Sequence, residues 1–418
     1  MAAMRILAIE TSCDETAIAI VESEDSLTQP ADPQTFRILA NRTLSQIDVH
    51  KEYGGVFPML AKREHSRALV PLLVKALEDA RLYKKTSRHV IESPLRKDFQ
   101  EILEREPDLF ANFVTEVPNI DPPPIDAIAV TQGPGLEPAL WVGINFAKAL
   151  SLVWKKPIIA VNHMEGHVFS AMLRKAEISN FQFSIFKGNP NAVVYEISDF
   201  QFPMLALLVS GGHTELVLMS DWGKYKIVGE TKDDAVGEAF DKVARILGLP
   251  YPGGPEISRL GESGRAGVHP LPRPMLHSPD FDFSFAGLKT AVLYLVKKLG
   301  ELTQEQKADI AREFEEACVE VLVTKTLRAV SEFGARAVIL GGGVSANKRL
   351  CEHLEATVKE KLADVRLFLP EPELTTDNAL MIAIAAFFRH DHPVKLSDLR
   401  AIGNWRIDDQ EKRAFTKN

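Results

Sequence analysis

Residues Met4 to Glu22 read MRILAIETSCDETAIAIVE, and residues Met204 to Met219 read MLALLVSGGHTELVLM. Each is an apolar run, a polar or glycine-bearing turn and a second apolar run, the pattern of a β-hairpin. Set side by side, Ser12 falls on Ser210 and Thr16 on Thr214, with apolar residues matching on both flanks. Two such hairpins predict an internally duplicated fold, one hairpin in each of two lobes. The intervening chain alternates between periods. His65 to Leu82 has helical apolar spacing, Ile125 to Val130 reads as a short buried strand, Trp141 to Trp154 as a helix and Pro157 to Val161 as a strand. Strand alternating with helix is the signature of an α/β fold.

A chain of 418 residues, 45% hydrophobic and 25% charged, is globular and long enough for two lobes. The expected N-terminal lobe is 1–160, joined by a returning segment 385–418, and the C-terminal lobe is 161–384. Three stretches read as insertions: Glu22 to Arg37, Leu82 to Pro124, which ends in Asp-Pro-Pro-Pro and looks linker-like, and Ser179 to Phe202. Cys13, Cys318 and Cys351 form neither a disulfide framework nor a zinc knuckle, which suits a reducing cytoplasm. No secretory h-region or presequence precedes Arg5, and the longest apolar stretch, Ala379 to Phe388, is too short for a membrane span. A cytoplasmic location is expected. With 49 basic and 57 acidic residues the net charge is −8, so nucleic-acid binding would need a local patch. Arg81 to Lys97 and the pair Lys155–Lys156 are candidates, against the plainer reading of solvated surface charge.

The strongest local chemical signal is Asn162-His163-Met164-Glu165-Gly166-His167. On a helix, His163 and His167 share one face, about 5–6 Å apart at Cβ, and two imidazoles at that spacing suit one transition metal. Glu165 lies about 200° round the helix from His163 at 3.6 residues per turn, which disfavours a zinc hydrolase with that glutamate as base. The turn Ser210-Gly211-Gly212 and the run Gly341-Gly342-Gly343 before a helix start suit a phosphate or nucleotide. Asn347 could present its amide to a ligand or cap the helix. Asp241 and the turn around Gly253–Gly254 complete a ring of contacts. Asp377 reads as a first-turn acid of the helix ending at Phe388, or as the further ligand that a two-histidine site needs.

Taken together, these motifs resemble the TsaD family of tRNA adenosine threonylcarbamoyltransferases, once regarded as glycoproteases. The matching residues are IETSCDET from Ile9, YGGVFPMLA from Tyr53, QGPG from Gln132, HMEGH from His163 and LLVSGGHTE from Leu207. DDAVGEAFDK from Asp233, YPGGP from Tyr251, DFSFAGLKTAV from Asp282, GGGVSAN from Gly341 and TDNA from Thr376 follow in family order. The resemblance implies the actin/Hsp70/sugar-kinase-like (ASKHA) α/β fold, two lobes with a nucleotide cleft between them. It implies transfer of a threonylcarbamoyl group from threonylcarbamoyl-AMP to the exocyclic amine of the adenosine 3′ of the anticodon. It makes His163, His167 and Asp377 the ligands of a divalent metal, iron(II) ahead of zinc. It makes Leu208, Val209, Ser210, Gly211, Gly212, Asp241, Gly254 and Asn347 the contacts to the adenylate. Asp14 and Glu15, in the first hairpin turn, are candidates for accepting the amine proton, against a reading as ordinary polar turn residues. Partners implied are tRNA with a TsaB-like paralogue and a TsaE-like ATPase, or a homodimer in the mitochondrial manner. The three insertions look longer than the family usually carries. An ATP-dependent kinase of the same fold group and a non-catalytic nucleotide-binding scaffold are the alternatives.

Overall fold

The computed structural model describes residues 3–23, 34–86, 93–176, 193–198 and 200–409. In chain order come β1 (Met4–Glu10), β2 (Glu15–Ser23), β3 (Gln34–Ser45), α1 (Ile47–Lys51), α2 (Pro58–Asp79), α3 (Ser93–Ile102) and α4 (Pro107–Glu116). They are followed by β4 (Ala127–Gly133), α5 (Glu137–Trp154), β5 (Ile158–Asn162), α6 (His163–Met172), β6 (Arg174–Lys175) and β7 (Val193–Ile197). Then come β8 (Met204–Val209), β9 (Thr214–Asp221), β10 (Lys224–Glu230), α7 (Val236–Ile246), α8 (Gly253–Gly261), α9 (Ala286–Leu299) and α10 (Gln304–Phe333). The last are β11 (Ala337–Gly341), α11 (Lys348–Lys361), β12 (Arg366–Phe368) and α12 (Ala379–Phe387).

Two sheets organise these elements. The first has the order β5-β4-β1-β2-β3-β7-β6 and the second β10-β9-β8-β11-β12. In each, an antiparallel three-strand meander is extended by two parallel strands on the side of its first strand. The central strands β1 and β8 are apolar along nearly their whole length because both faces are covered, so they do not alternate. The duplication extends to register. Ile9 pairs with Ile18 and Glu10 with Ala17 in the first hairpin; at the matching positions Leu207 pairs with Leu216 and Leu208 with Glu215. The parallel partners match as well, Ile6 with Ala127 and Met204 with Ala337. A one-residue slip would turn every buried side chain to the wrong face, so the shared register is a strong sign of a repeated unit.

The chain divides into two compact units, residues 1–49, 56–199 and 377–418 in one, and 50–55 and 200–376 in the other. The division after 199, rather than after the expected 160, has a plain cause. β5 pairs with β4, α6 packs on α12, and β7 adds to the edge of β3, so all belong to the first sheet and its helices. All nine residues of α12 are buried.

The stretch Leu82 to Pro124 is not the linker-like excursion its composition suggests. Phe99, Leu103, Leu109, Phe113, Val117 and Ile120 join the core of the first unit, and Phe113 packs edge-on against Phe146 of α5. Of the Glu22 to Arg37 insertion, 24–33 lie outside the described residues, and its flanks are ladder: Glu22 pairs with Arg37 between β2 and β3. Most of Ser179 to Phe202 also lies outside them. The buried ring makes a test. Phe113→Ala should lower unfolding free energy by about 3–5 kcal/mol in a urea titration, whereas a linker residue would change it by under about 0.5 kcal/mol.

Candidate active site

In the first unit, a buried strand runs directly into the helix that carries the histidine pair. Asn162 ends β5 and caps α6, its Oδ1 accepting the Met164 amide at 2.9 Å and the Glu165 amide at 3.4 Å. Its Nδ2 donates to the Trp405 carbonyl at 3.1 Å, so a segment more than 240 residues away fixes the start of the helix. The same segment braces the Gln132-Gly133-Pro134-Gly135 turn: Ile402 N–H donates to Gln132 O, and Gly135 N–H to Gly403 O.

His163 and His167 lie edge to face with ring centroids 4.7 Å apart. Asp377 Oδ1 is 3.4 Å from His163 Nε2 and 3.1 Å from His167 Nε2. One donor atom from each of the three lies within 4.8 Å of the others. Asp377 is not a first-turn acid, because Asn378 caps α12 by accepting the Met381 amide, leaving Asp377 one residue outside the helix and turned to the histidines.

A residue that the motif reading passed over completes the arrangement. Glu10, fully buried at the end of β1, accepts the Ser12 amide and the Thr131 hydroxyl, each at 2.5 Å, and its Oε2 is 3.2 Å from His163 Nδ1. Ser12 Oγ is also 3.2 Å from that nitrogen. With Nδ1–H donated to the carboxylate, the Nε2 lone pair is left on the Asp377 side, the usual way a protein orients a metal-binding imidazole. The signal was present in the sequence: a glutamate closing an otherwise apolar buried strand.

The electrostatics suit a cation. Burial lowers the His163 pKa, but the Asp377 and Glu10 carboxylates outweigh it and raise it to about 9. Burial, then the charges of Asp377 and Asp14, hold the Glu15 carboxyl well above the ordinary carboxylate range. Burial and the same acids push the Cys13 thiol up, which disfavours the thiolate. Four acids around two imidazoles repel one another unless a positive charge is shared among them, and the donor set of two nitrogens and a carboxylate oxygen fits one divalent ion. His167 Nε2, although 3.1 Å from Asp377 Oδ1, makes no well-aligned hydrogen bond among the described residues. Glu165 faces elsewhere, in a two-pronged pair with Arg389, whose Nη2 donates to Oε1 at 3.0 Å. It is unavailable as a hydrolase base.

The second unit holds the glycine turns. Leu208 and Val209 are buried ladder residues at the end of β8. The Ser210 hydroxyl accepts the His213 amide at 3.0 Å and the Gly212 amide at 3.3 Å, tightening the turn. A Cβ added at Gly211, Gly212 or Gly254 would meet nothing within 4 Å, so packing among described residues gives no reason for glycine there. Gly342 differs: its φ is +89°, and a Cβ would sit 2.4 Å from the Val209 carbonyl oxygen. Asp241 accepts the Gly253 amide at 2.7 Å and so caps α8. It lines a pocket of about 380 Å³ with Lys51, Tyr53, Arg245 and Tyr251 among others. Asn347 is a helix cap, taking the Leu350 amide at 2.8 Å, and its Nδ2 reaches both Ser258 Oγ and Glu315 Oε1.

Comparison with known proteins identifies the family. The sequence pattern of the family described as "tRNA N6-adenosine threonylcarbamoyltransferase" (TsaD) matches residues 37–91, 104–183 and 188–384. The gap at 92–103 falls inside the Leu82 to Pro124 stretch. A protein of that name from Ralstonia pickettii (strain 12J) is 42% identical over 414 residues, covering 97% of this chain and 98% of its own. One from Paraburkholderia xenovorans (strain LB400) is 42% identical over 388 residues, covering 92% of each. Among solved structures, full-length HypF in its phosphate- and nucleotide-bound form aligns with 92% of this chain at a TM-score of 0.50 and 13% identity. This chain spans 46% of that HypF chain, and the likeness concerns the fold. From the identity, the coverage and the motifs alike, the chain belongs to the tRNA N6-adenosine threonylcarbamoyltransferase family.

Proposed function

We propose that the protein transfers the threonylcarbamoyl group of threonylcarbamoyl-AMP to the exocyclic amine of the adenosine 3′ of the anticodon, in tRNAs reading ANN codons. The observation that carries the reading is the convergence of His163, His167 and Asp377 donors in a chain of a family named for this transfer. A sugar-kinase chemistry has no use for that triad.

In the reaction, the adenine amine attacks the carbamoyl carbonyl carbon, the bond from that carbon to the phosphate oxygen breaks, and AMP leaves with the electron pair. The amine proton passes to a base, for which Asp14 and Glu15 are the candidates, Glu15 only where a bound cation would offset the burial and neighbouring acids that hold it protonated. A divalent ion held by His163, His167 and Asp377 supplies a Lewis acid for carbonyl or phosphate oxygens, with iron(II) our first choice and zinc the second. Glu10 keeps His163 in the ligating tautomer. Leu208, Val209, Ser210, Gly211 and Gly212 offer the adenylate a turn whose glycines carry no side chain to keep an anion at a distance. Asp241, Gly254 and Asn347 form the rest of its seat, Asp241 and Asn347 by setting the starts of α8 and α11. AMP is a good leaving group, so holding the weakly nucleophilic amine against the carbonyl is the larger share of the work.

For partners we favour a TsaB-like paralogue and a TsaE-like ATPase over a homodimer, and a cytoplasmic setting. The absence, among the described residues, of any helix long and apolar enough to cross a membrane is compatible with that setting, as are the three unpaired cysteines.

Incubation of unmodified tRNA with the protein, its partners and threonylcarbamoyl-AMP should yield threonylcarbamoyladenosine by nucleoside mass spectrometry. Chelation, or the double substitution His163→Ala/His167→Ala, should abolish it; undiminished product after chelation would remove the metal from the reaction. Separately, Glu10→Gln should weaken metal retention by about 10–100-fold in competition with a chromogenic chelator, with metal content read directly. Unchanged retention would make Glu10 a purely structural acid.

A further inference from the structure

Helix α9, AGLKTAVLYLVKKL, carries three lysines and no acid in a chain of net charge −8. Several other lysines of the second unit are paired, Lys224 with Asp221, Lys232 with Asp282, and Lys242 with Asp234 and Glu238, whereas Lys226, Lys307, Lys359 and Lys361 form no ion pair among the described residues. Lys289, Lys297 and Lys298 form no ion pair among the described residues. Only Leu288 and Val292 of this helix are fully buried, with Ala291, Leu295, Val296 and Leu299 leaning on the same core. The opposite face, at helical spacing, presents Gly287, Thr290, Tyr294, Lys297 and Lys298. The Tyr294 ring is 65% exposed.

The helix is also held firmly beside the glycine hairpin of its own unit. Asp233 accepts the Ser284 hydroxyl at 2.5 Å and the Phe285 and Ala286 amides at 2.8 and 3.2 Å, which pins the start of α9. Asp233 precedes α7, where the Gly237 amide donates to the Ser210 carbonyl at 3.3 Å. The motif DFSFAGLKTAV is thereby explained as far as its first half, the pinned start. Beyond the motif, Tyr294, Lys297 and Lys298 make an outward, cationic, aromatic-bearing face with no ion pair among the described residues.

We propose that this face of α9 is a docking surface for the sugar-phosphate backbone of the tRNA, with Lys297 and Lys298 on phosphates and Tyr294 against an unpaired base or ribose. Lysines without counter-charges are those free to displace the counterions of a nucleic acid, and an exposed ring among them is how single-stranded RNA is gripped without reading sequence. On an acidic protein this is a local patch of the kind such a substrate requires. Arg81 to Lys97 lies partly outside the described residues, and the aromatic beside Lys155–Lys156 in sequence, Trp154, is buried.

The proposal rests on the tRNA reading above, and the test separates the two. Fluorescence anisotropy of labelled unmodified tRNA would be followed with the full chain and its partners across a salt series. Lys297→Glu/Lys298→Glu should weaken binding at least about tenfold near 0.1 M salt. The milder Lys297→Ala/Lys298→Ala should flatten the log affinity against log salt slope by about 1 to 2. Tyr294→Ala should weaken binding with the slope kept, and all variants should keep wild-type melting and wild-type affinity for threonylcarbamoyl-AMP. Wild-type affinity and slope in the charge variants would overturn the proposal. So would unchanged tRNA binding with an altered sedimentation profile, which would make α9 a protein contact. A wild-type protein that binds no tRNA would instead bring down the substrate reading itself.

Discussion

Burying a carboxylate without partners costs several kcal/mol, and Glu10 is buried completely. Its charge is answered by one group from each of three places: the Ser12 amide of the first hairpin turn, the Thr131 hydroxyl of β4 and the His163 ring of α6. That single requirement fixes the turn against the sheet and the helix against both. It also sets the imidazole tautomer, so satisfying a buried charge and preparing a metal ligand are one act. Asn162 does the corresponding work from the helix side, joining the α6 start to the chain near Trp405. The candidate metal site is therefore the meeting point of the structural hydrogen bonds of its unit, not a decoration on its surface.

The two hairpins show how one backbone serves opposite charges. Their registers coincide pair for pair, yet the positions occupied by Gly211 and Gly212 in the second are Cys13 and Asp14 in the first. In the second unit the turn is open and suits an anion. In the first, Asp14 and Glu15 join Glu10 and Asp377 in a concentration of negative charge that raises the pKa of neighbouring groups. Matching strand register, with Glu10, Asp14 and Glu15 where the second hairpin has Leu208, Gly212 and His213, puts acids in one turn and open glycines in the other.

Much of this was legible in the sequence because it is local. The hairpins are read from apolar runs and a turn, and the histidine pair from helical spacing after a buried strand. What escaped is what depends on long-range packing. Glu165 and Arg389 meet across 224 positions, and nothing near either predicts the other. Asp377 looked like a helix-dipole acid because the cap actually used, Asn378, is its neighbour. Leu82 to Pro124 looked like a linker because charges and the closing Asp-Pro-Pro-Pro surround two short amphipathic helices, whose Phe99 and Phe113 reach the core. The unit boundary was misjudged for a similar reason: β5 and α6 follow a complete strand–helix alternation, and only sheet pairing assigns them to the first unit.

The glycines of the second unit divide into two kinds whose constraints are independent. Gly342 is demanded by the backbone of Val209 and its own left-handed conformation, so its replacement would be felt by any folded copy of the chain. Gly211, Gly212 and Gly254 are demanded by no packing contact among the described residues. A screen that selects for solubility or heat resistance would let those three positions drift while holding Gly342, blind to any part they play in binding the adenylate proposed above. Directed stabilisation of this enzyme therefore has to be scored on turnover at every round.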